Sequence, residues 1–508
     1  MKRTVLVFLL VNLMLSACAP VSAPTSTPAP SATLLPTATA MPTSTATPTS
    51  TPTATPTATP TPIPTIQVGN LSVPDPRVTN PELFDLRKPD APIQQFVNAM
   101  KMAGIEITAE QVAQGITYKA LKDGNPFVVA VYNLDPSLFP KKYIDLAVPI
   151  PLLIAKKGER GWEWKENQLT YSRNSVGTDA VGWYMLQNHR YEQAIISDSN
   201  CIDIDTIGVW SVLEPQRGQR NTKEWNKMIY AVELAHKRNI PYSLGPIING
   251  SLSIPDWLKQ TRNASEALAS AKNHISEIAR EFGRDPLLNR VTVANEMLPH
   301  LLGQTNFWTE ELGINRDYFL QEIFRHARNE FGDTKLGIRD FSIEFAGYPR
   351  ADQMYEMIKR LNEEERQVNG RNLIDVVEFQ LPLFLPNLVN KDPAMNPNNF
   401  STSEKYQKML FRFRENIIRY KQIGVEVQVT EFFVADNPMI NDYDRAHIYH
   451  DIAKICAEEN ITLIFYRSAD SNNTFFAYPN TDMRIHLRNE QLQPKLYYYV
   501  VLSAMFGF

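Results

Sequence analysis

The chain has 508 residues, with 51 basic and 55 acidic side chains and a formal charge of −4. That charge is spread along the chain with no basic stripe, which argues against nucleic acid as a partner. Three cysteines are too few for a disulfide framework, and no Cys/His cluster stands at ligand spacing, so neither a metal nor a cofactor is expected.

The first element is a targeting segment. Met1-Lys2-Arg3 precedes an apolar run from Val5 to Leu15, then Ser16-Ala17-Cys18. A basic start with a short apolar run reads as a secretory signal, too short to span a bilayer. The small residues before Cys18 resemble a bacterial lipobox, in which Cys18 would carry lipid and become the mature N-terminus. An ordinary signal peptide with an incidental Cys is the alternative. Residues 1–18 are thus read as a lipoprotein signal, and the protein is expected at the extracellular face of the cell membrane, anchored through Cys18.

Residues 19–66 follow as a linker. Between Pro20 and Pro64 there are 12 prolines, the rest being almost entirely Thr, Ser and Ala, and no charge occurs from Thr4 to Pro74. Such a segment has too little apolar surface to offset ordering entropy and is expected to be disordered. Extended, it could hold a domain on the order of 100 Å from the bilayer.

Residues 67–150 read as a small α+β region. The spacing of Phe96, Met100 and Met102 predicts a helix over 92–102, and a second begins near Thr108. Phe127–Tyr132 is a β-prone run bounded by turn residues. This region is expected to extend the packing of the following domain, with a carbohydrate-binding appendage as the alternative.

From 151 to 508 short apolar runs alternate with longer helical ones, the mark of parallel β/α units. Candidate strands are 204–209, 242–248, 290–294, 335–339, 376–380, 425–430 and 463–466. Candidate helices are 223–238, 265–282, 317–331, 353–365 and 406–423. The fold class is α/β, a (β/α)8 TIM barrel. Such a barrel takes about 250 residues, leaving roughly 100 for loops, of which 381–403 is expected at the rim. Cys201 and Cys456 are expected as buried free thiols.

Two runs end in a lone carboxylate: Val293-Ala294-Asn295-Glu296 and Val429-Thr430-Glu431. In a barrel of this kind the C-terminal strand ends converge on one mouth. A glycosidase needs two carboxyl groups across a glycosidic bond, one to protonate the leaving oxygen and one to attack or activate water. Glu296 and Glu431 are the candidates.

The segments around them, in order, resemble glycoside hydrolase family 10, typified by endo-β-1,4-xylanases. Glu214-Pro215 with Gly218 resembles its turn after strand two, Ile254–Leu258 its segment after strand three, and His274-Ile275 the helix leading to Asn295-Glu296. Phe307-Trp308, Asp317–Phe319 and Ala327-Arg328 resemble its fourth helix, and Arg339-Asp340-Phe341 stands at its Asn-Asp-Tyr. Phe379-Gln380 and Gly424–Glu431 match strands six and seven. The resemblance implies Glu296 as acid/base, Glu431 as nucleophile, Asn295 on the sugar 2-hydroxyl and Gln380 in the glycone site. Trp257, in a matched segment, is a candidate sugar-stacking residue.

The rest of the implied sugar shell is absent. Thr206 and Val209 stand where the family has Asn and Lys, and Asn249-Gly250 where it has Trp-His. Pro382 replaces its His, Tyr466 its Trp, and Phe433 the Asp beyond the nucleophile. Tyr466, Arg467, Asp470 and Arg339 are candidates to refill the site. Trp308, Tyr348 and Phe384 could stack on sugars. The implied function is a retaining hydrolase of β-1,4-linked polysaccharide, xylanase-like and monomeric. The alternatives are a same-clan hydrolase of another glycan or linkage, and a non-catalytic surface carbohydrate-binding protein.

Overall fold

The computed structural model describes residues 61–121, 126–138, 146, 148–165, 168–171, 175–179, 192–193, 198–204, 210–299, 305–383, 403–434, 442–466, 487–489 and 491–508. Eight parallel strands make the barrel: β1 (Val176–Asp179), β2 (Cys201–Ile204), β3 (Tyr242–Leu244), β4 (Leu288–Asn295), β5 (Lys335–Asp340), β6 (Val376–Phe379), β7 (Glu426–Val434) and β8 (Thr462–Phe465). Each strand pairs with the next, and β8 returns to β1 through Leu463 opposite Val176, so the sheet closes and leaves no edge. The strands are apolar because they are buried on both faces, as in the run Val291, Val293 and Ala294 of β4.

Helices alternate with the strands: α1 (Thr222–Arg238), α2 (Ala264–Phe282), α3 (Arg316–Phe331), α4 (Pro349–Asn369), α5 (Glu404–Gln422), α6 (Asp442–Glu458) and α7 (Leu496–Met505). Their starts follow capping chemistry. The side chains of Asn263, Asn315 and Ser403 accept backbone N–H bonds at the first turns of α2, α3 and α5. One face of each of α1 to α5 enters the core. Phe319, Ile323, Phe324, Ala327 and Phe331 do so from α3.

The N-terminal region is a four-stranded antiparallel sheet (Ile116–Ala120, Phe127–Asn133, Pro149–Gly158, Gly161–Lys165) with helices Pro92–Met102 and Ala109–Gly115. The second helix opens with a capping box between Thr108 and Gln111. The sheet runs to Lys165, beyond the expected boundary at 150, and the first barrel strand starts at Val176. It packs on α7, every residue of which is buried, as an all-round apolar helix requires. Phe96 meets Tyr132 and Tyr499 edge-on, with ring centroids 5.8 and 5.1 Å apart. One continuous core thus joins this region to the barrel, as expected of a packing extension. Cys201 and Cys456 are buried free thiols. Burial pushes the Cys201 thiol up to about 12.

Parallel register sets the site. Asn295 lies opposite Arg339, Asp340 opposite Phe379, and Phe379 opposite Val429. The ends of β4, β5 and β6 are therefore level with Val429 of β7, and Asn295, Glu296, Gln380 and Glu431 come out at one mouth.

Candidate active site

Glu296 stands just past the end of β4 and Glu431 within β7, three residues before its end, both in left-handed backbone, with φ of 54° and 56°. A side chain at positive φ costs about 1–3 kcal/mol, which the surrounding structure must supply. Part of that support is the Glu296 amide, which donates to the Arg339 carbonyl at 2.9 Å.

Gln380 joins them. Its Nε2 donates to Asn295 Oδ1 at 3.2 Å, to Glu296 Oε1 at 3.3 Å and to Glu431 Oε1 at 3.3 Å. The two carboxylate oxygens can therefore be no farther apart than twice 3.3 Å. Retaining glycosidases hold their carboxyl groups at ~5–5.5 Å and inverting ones at ~6.5–9.5 Å. With Asn295 Oδ1 occupied, its Nδ2 amide is the group left to offer a sugar hydroxyl. Asn295 and Gln380 are almost fully buried, whereas both carboxylates keep partial access to solvent.

The surroundings of the two carboxylates differ. Beside Glu296 lies Asp340, wholly buried, whose carboxyl burial pushes up to about 6 against the opposing pull of Arg350, with the charge of Glu296 adding to the rise. Arg350 Nη2 donates to Asp340 Oδ1 at 2.5 Å, and the Phe341 and Leu298 amides donate to the same carboxylate. Nearby, burial pushes Glu344 up to about 7.

Beside Glu431 lies Arg339, which is 0% exposed and donates from Nη1 to Glu431 Oε1 at 3.4 Å. Its other nitrogens reach Glu378 Oε2 at 3.0 Å and Asp203 Oδ2 at 2.6 Å. Arg290 completes this inner cluster, 3.1 Å from Glu378 Oε1 and 3.6 Å from Asp203 Oδ1, in ion pairs without hydrogen-bond alignment. The Thr292 hydroxyl donates to Glu378 and the Ser243 hydroxyl to Asp203. Gly337 makes room, since a Cβ there would stand 2.2 Å from Glu378 Oε1.

The structure thus brings Asn295, Glu296, Gln380, Glu431 and Arg339 together. Trp257 has no hydrogen bond or ring contact with them. Its indole N–H donates to the Glu214 carbonyl at 3.0 Å, and its ring meets Trp210 edge-on beneath the Arg217 guanidinium. Trp308 is wholly buried, donates to the Asn249 carbonyl and stacks on Phe319, so it is core. Tyr348 is exposed and lies under Arg412. Tyr466 packs on Phe433, two residues past Glu431, with ring centroids 5.7 Å apart. Arg467, Asp470, Thr206, Val209, Phe384 and Cys18 lie outside the described residues.

Two of the substituted positions have a physical account. A Cβ at Gly250 would stand 2.1 Å from the Glu296 carbonyl oxygen, so no side chain fits where the family resemblance implies His. Asn249 turns the chain there, its Oδ1 accepting from the Ser251 and Leu252 amides. Pro382 begins a two-residue strand, Pro382–Leu383, parallel to the end of β7, with Leu383 opposite Val434.

Sequence reading missed Asp203, Arg290 and Glu378 as partners of Arg339. The available signal was a single charge inside each of the runs Cys201–Ile204, Leu288–Asn295 and Val376–Phe379.

Among the described residues, two side-chain groups have metal-ligand composition, His447/His450/Asp451 and Glu214/His274/Glu277. In the first, both imidazoles already face Asp451, at 3.4 and 3.2 Å, and the Tyr406 hydroxyl donates to it at 2.8 Å. In the second, the two Glu214 oxygens accept from the Trp210 indole and the Gly218 amide. His274 stacks on Trp210, with burial pushing it down to about 3. Both read as internal hydrogen-bond and stacking clusters.

A closed parallel barrel with paired carboxylates at its C-terminal mouth defines a barrel glycosidase. Residues 166–504 match the model of glycosyl hydrolase family 10, and the chain belongs to that family of O-glycosyl hydrolases. Among solved structures it is similar to xylanase 10B from Thermotoga petrophila in complex with xylobiose, at 19% identity and a TM-score of 0.53, covering 65% of this chain and 94% of that one. The endo-1,4-beta-xylanase XylE of Penicillium canescens matches at 20% identity and a TM-score of 0.54, covering 67% and 97%. A glycosylated endo-beta-1,4-xylanase of Gloeophyllum trabeum matches at 16% and 0.55, covering 68% and 99%. At these identities the structural likeness speaks for the shared fold.

Proposed function

We propose that the protein is a retaining endo-acting hydrolase of a β-1,4-linked polysaccharide, xylan being the first candidate, with Glu431 as nucleophile and Glu296 as acid/base. The observation that carries this is the single Gln380 nitrogen within 3.3 Å of an oxygen on each carboxylate. In the first step Glu431 attacks the anomeric carbon while Glu296 gives its proton to the departing glycosidic oxygen. The C–O bond breaks and a glycosyl ester forms. In the second, Glu296 takes a proton from water, which attacks the same carbon and frees Glu431. Asn295 meets the 2-hydroxyl, where hydrogen bonds strengthen as positive charge develops on the ring.

Azide tests the roles. Glu296→Ala should retain activity on aryl glycosides with good leaving groups, and azide should raise it, giving a β-glycosyl azide. Azide rescue of Glu431→Ala should give the α-azide. Exchanged stereochemistry would reverse the assignment. Product sizing on xylans, glucans, mannans and arabinans identifies the polymer. The altered shell at Gly250 and Pro382 supports a second reading, a same-clan hydrolase of a different glycan, which that panel separates from the first.

For location, we propose a lipid tether at Cys18 carrying the enzyme on its Thr/Pro-rich stalk outside the bacterial cell. Supporting it are the basic start, the short apolar run and the small residues before Cys18. Cys18→Ala should release the protein from the membrane fraction, and unchanged retention would rule out that anchor.

A further inference from the structure

We infer that Arg339 is the positioning residue for the Glu431 nucleophile, held in place by a charge-balanced cluster inside the barrel that stays paired when Glu431 loses its charge. This rests on the retaining reading above and deepens it.

Among the described residues, the barrel interior beneath the mouth holds two acids, Asp203 of β2 and Glu378 of β6, and two bases, Arg290 of β4 and Arg339 of β5, none more than 5% exposed. The formal charges of these four cancel without Glu431. Each guanidinium touches both acids, so the Arg339 side chain is fixed from below by its Nε and Nη2 before Nη1 reaches Glu431. A guanidinium presents its donors in a rigid fork, so anchoring two corners aims the third.

The balance matters because of the chemistry at Glu431. Attack on the anomeric carbon converts the carboxylate to an ester and removes its negative charge. An arginine paired with that carboxylate alone would then be left buried without a counter-ion, a costly state. Arg339 keeps Asp203 and Glu378 throughout. Its bond to Glu431 can therefore orient the attacking oxygen without penalising the covalent intermediate. The same residue supplies a donor to Glu431 in a chain that has Pro382 where the family resemblance implies a His.

The test uses the full chain and the 2,4-dinitrophenyl 2-deoxy-2-fluoro-β-glycosides of xylobiose, cellobiose and mannobiose, whose good leaving group lets the glycosyl ester on the nucleophile accumulate. The labelled residue is identified by mass spectrometry. The variants are Arg339→Lys and the double variant Arg339→Met/Glu378→Gln, which removes one base and one acid so that the cluster stays neutral and folds. In the wild type the label should sit on Glu431. Labelling and kcat should fall about 100-fold in the double variant with KM little changed, and Arg339→Lys should recover part of the loss. A folded double variant labelled at the wild-type rate would overturn the positioning role while leaving the retaining reading intact. Absence of label on Glu431 in the wild type would overturn the retaining reading and this inference with it.

Discussion

The two sides of the mouth are built from different materials. On the β4 side, Glu296 has a second acid for a neighbour, Asp340, which burial and Glu296 itself push up to about 6. On the β7 side, Glu431 has a guanidinium, Arg339 at 3.4 Å. Both carboxylates share a left-handed backbone conformation and the same Gln380 nitrogen. Their difference therefore lies in what packs behind them. On the proposed roles, the acid and the nucleophile are therefore told apart by their neighbours and not by residue type.

Removing each carboxylate breaks the comparison most directly. Glu431→Ala should abolish hydrolysis of every glycoside, by on the order of 10⁴-fold or more, since no covalent intermediate can form. Glu296→Ala should cost roughly 10²–10⁴-fold on polysaccharide, the usual weight of general acid catalysis, and far less on aryl glycosides with good leaving groups. Rates on paired polymer and aryl substrates measure this. Equal losses on both substrates in Glu296→Ala would remove the proton-delivery role.

A second way to break it is to restore a residue that the family resemblance implies. Gly250 sits against the β4 side, with the Glu296 carbonyl oxygen where its Cβ would be. Gly250→Ala should displace the backbone that carries Glu296, lowering kcat by on the order of 10²-fold for a shift of about 1 Å. Stability should fall by about 1–3 kcal/mol, as for other overpacked sites. Gly250→His should do worse and not improve xylan turnover. Improved turnover on installing His would mean that the substituted shell can accept the family's residue.

The sequence carried the barrel well because its strands are buried on both faces and its helices on one, so both periods are plain. The Asn295-Glu296 and Glu431 strand ends were legible as motifs in order. The Arg339 cluster was not legible as a cluster, because its four members come from four strands and only register brings them together. Trp308 is a core residue for a related reason, and the half-buried Trp257 shares its backbone anchoring. An aromatic residue beside a matched motif serves the core as readily as a ligand, and their indole N–H groups are committed to backbone carbonyls. The strands from Pro149 to Lys165 were missed because they extend a sheet that completes itself only against α7, more than 300 residues later.

The smallest effect expected concerns how the β4–β5 side is stabilised. Glu344 lies just past β5, 4% exposed, and accepts the Ser342 amide at 2.9 Å. Burial pushes it up to about 7 from an ordinary value of 4.5. Between those values the folded protein binds a proton that the unfolded chain has released. Stability from this group is therefore complete below about pH 4.5 and is lost as pH rises through 7. Asp340 acts in the same direction up to about 6. His274, pushed down to about 3, acts in the opposite direction below its ordinary 6.5, so the total profile mixes signs. Comparing wild type with Glu344→Gln isolates one contribution, because Gln keeps the acceptor and cannot ionise. Chemical denaturation at pH 5 and pH 8 should show the variant losing less stability than wild type across that interval, by on the order of 2 kcal/mol. Parallel losses in the two proteins would mean that Glu344 is hydrated enough to ionise freely. The β4–β5 side would then owe its difference from the β7 side to Asp340 alone.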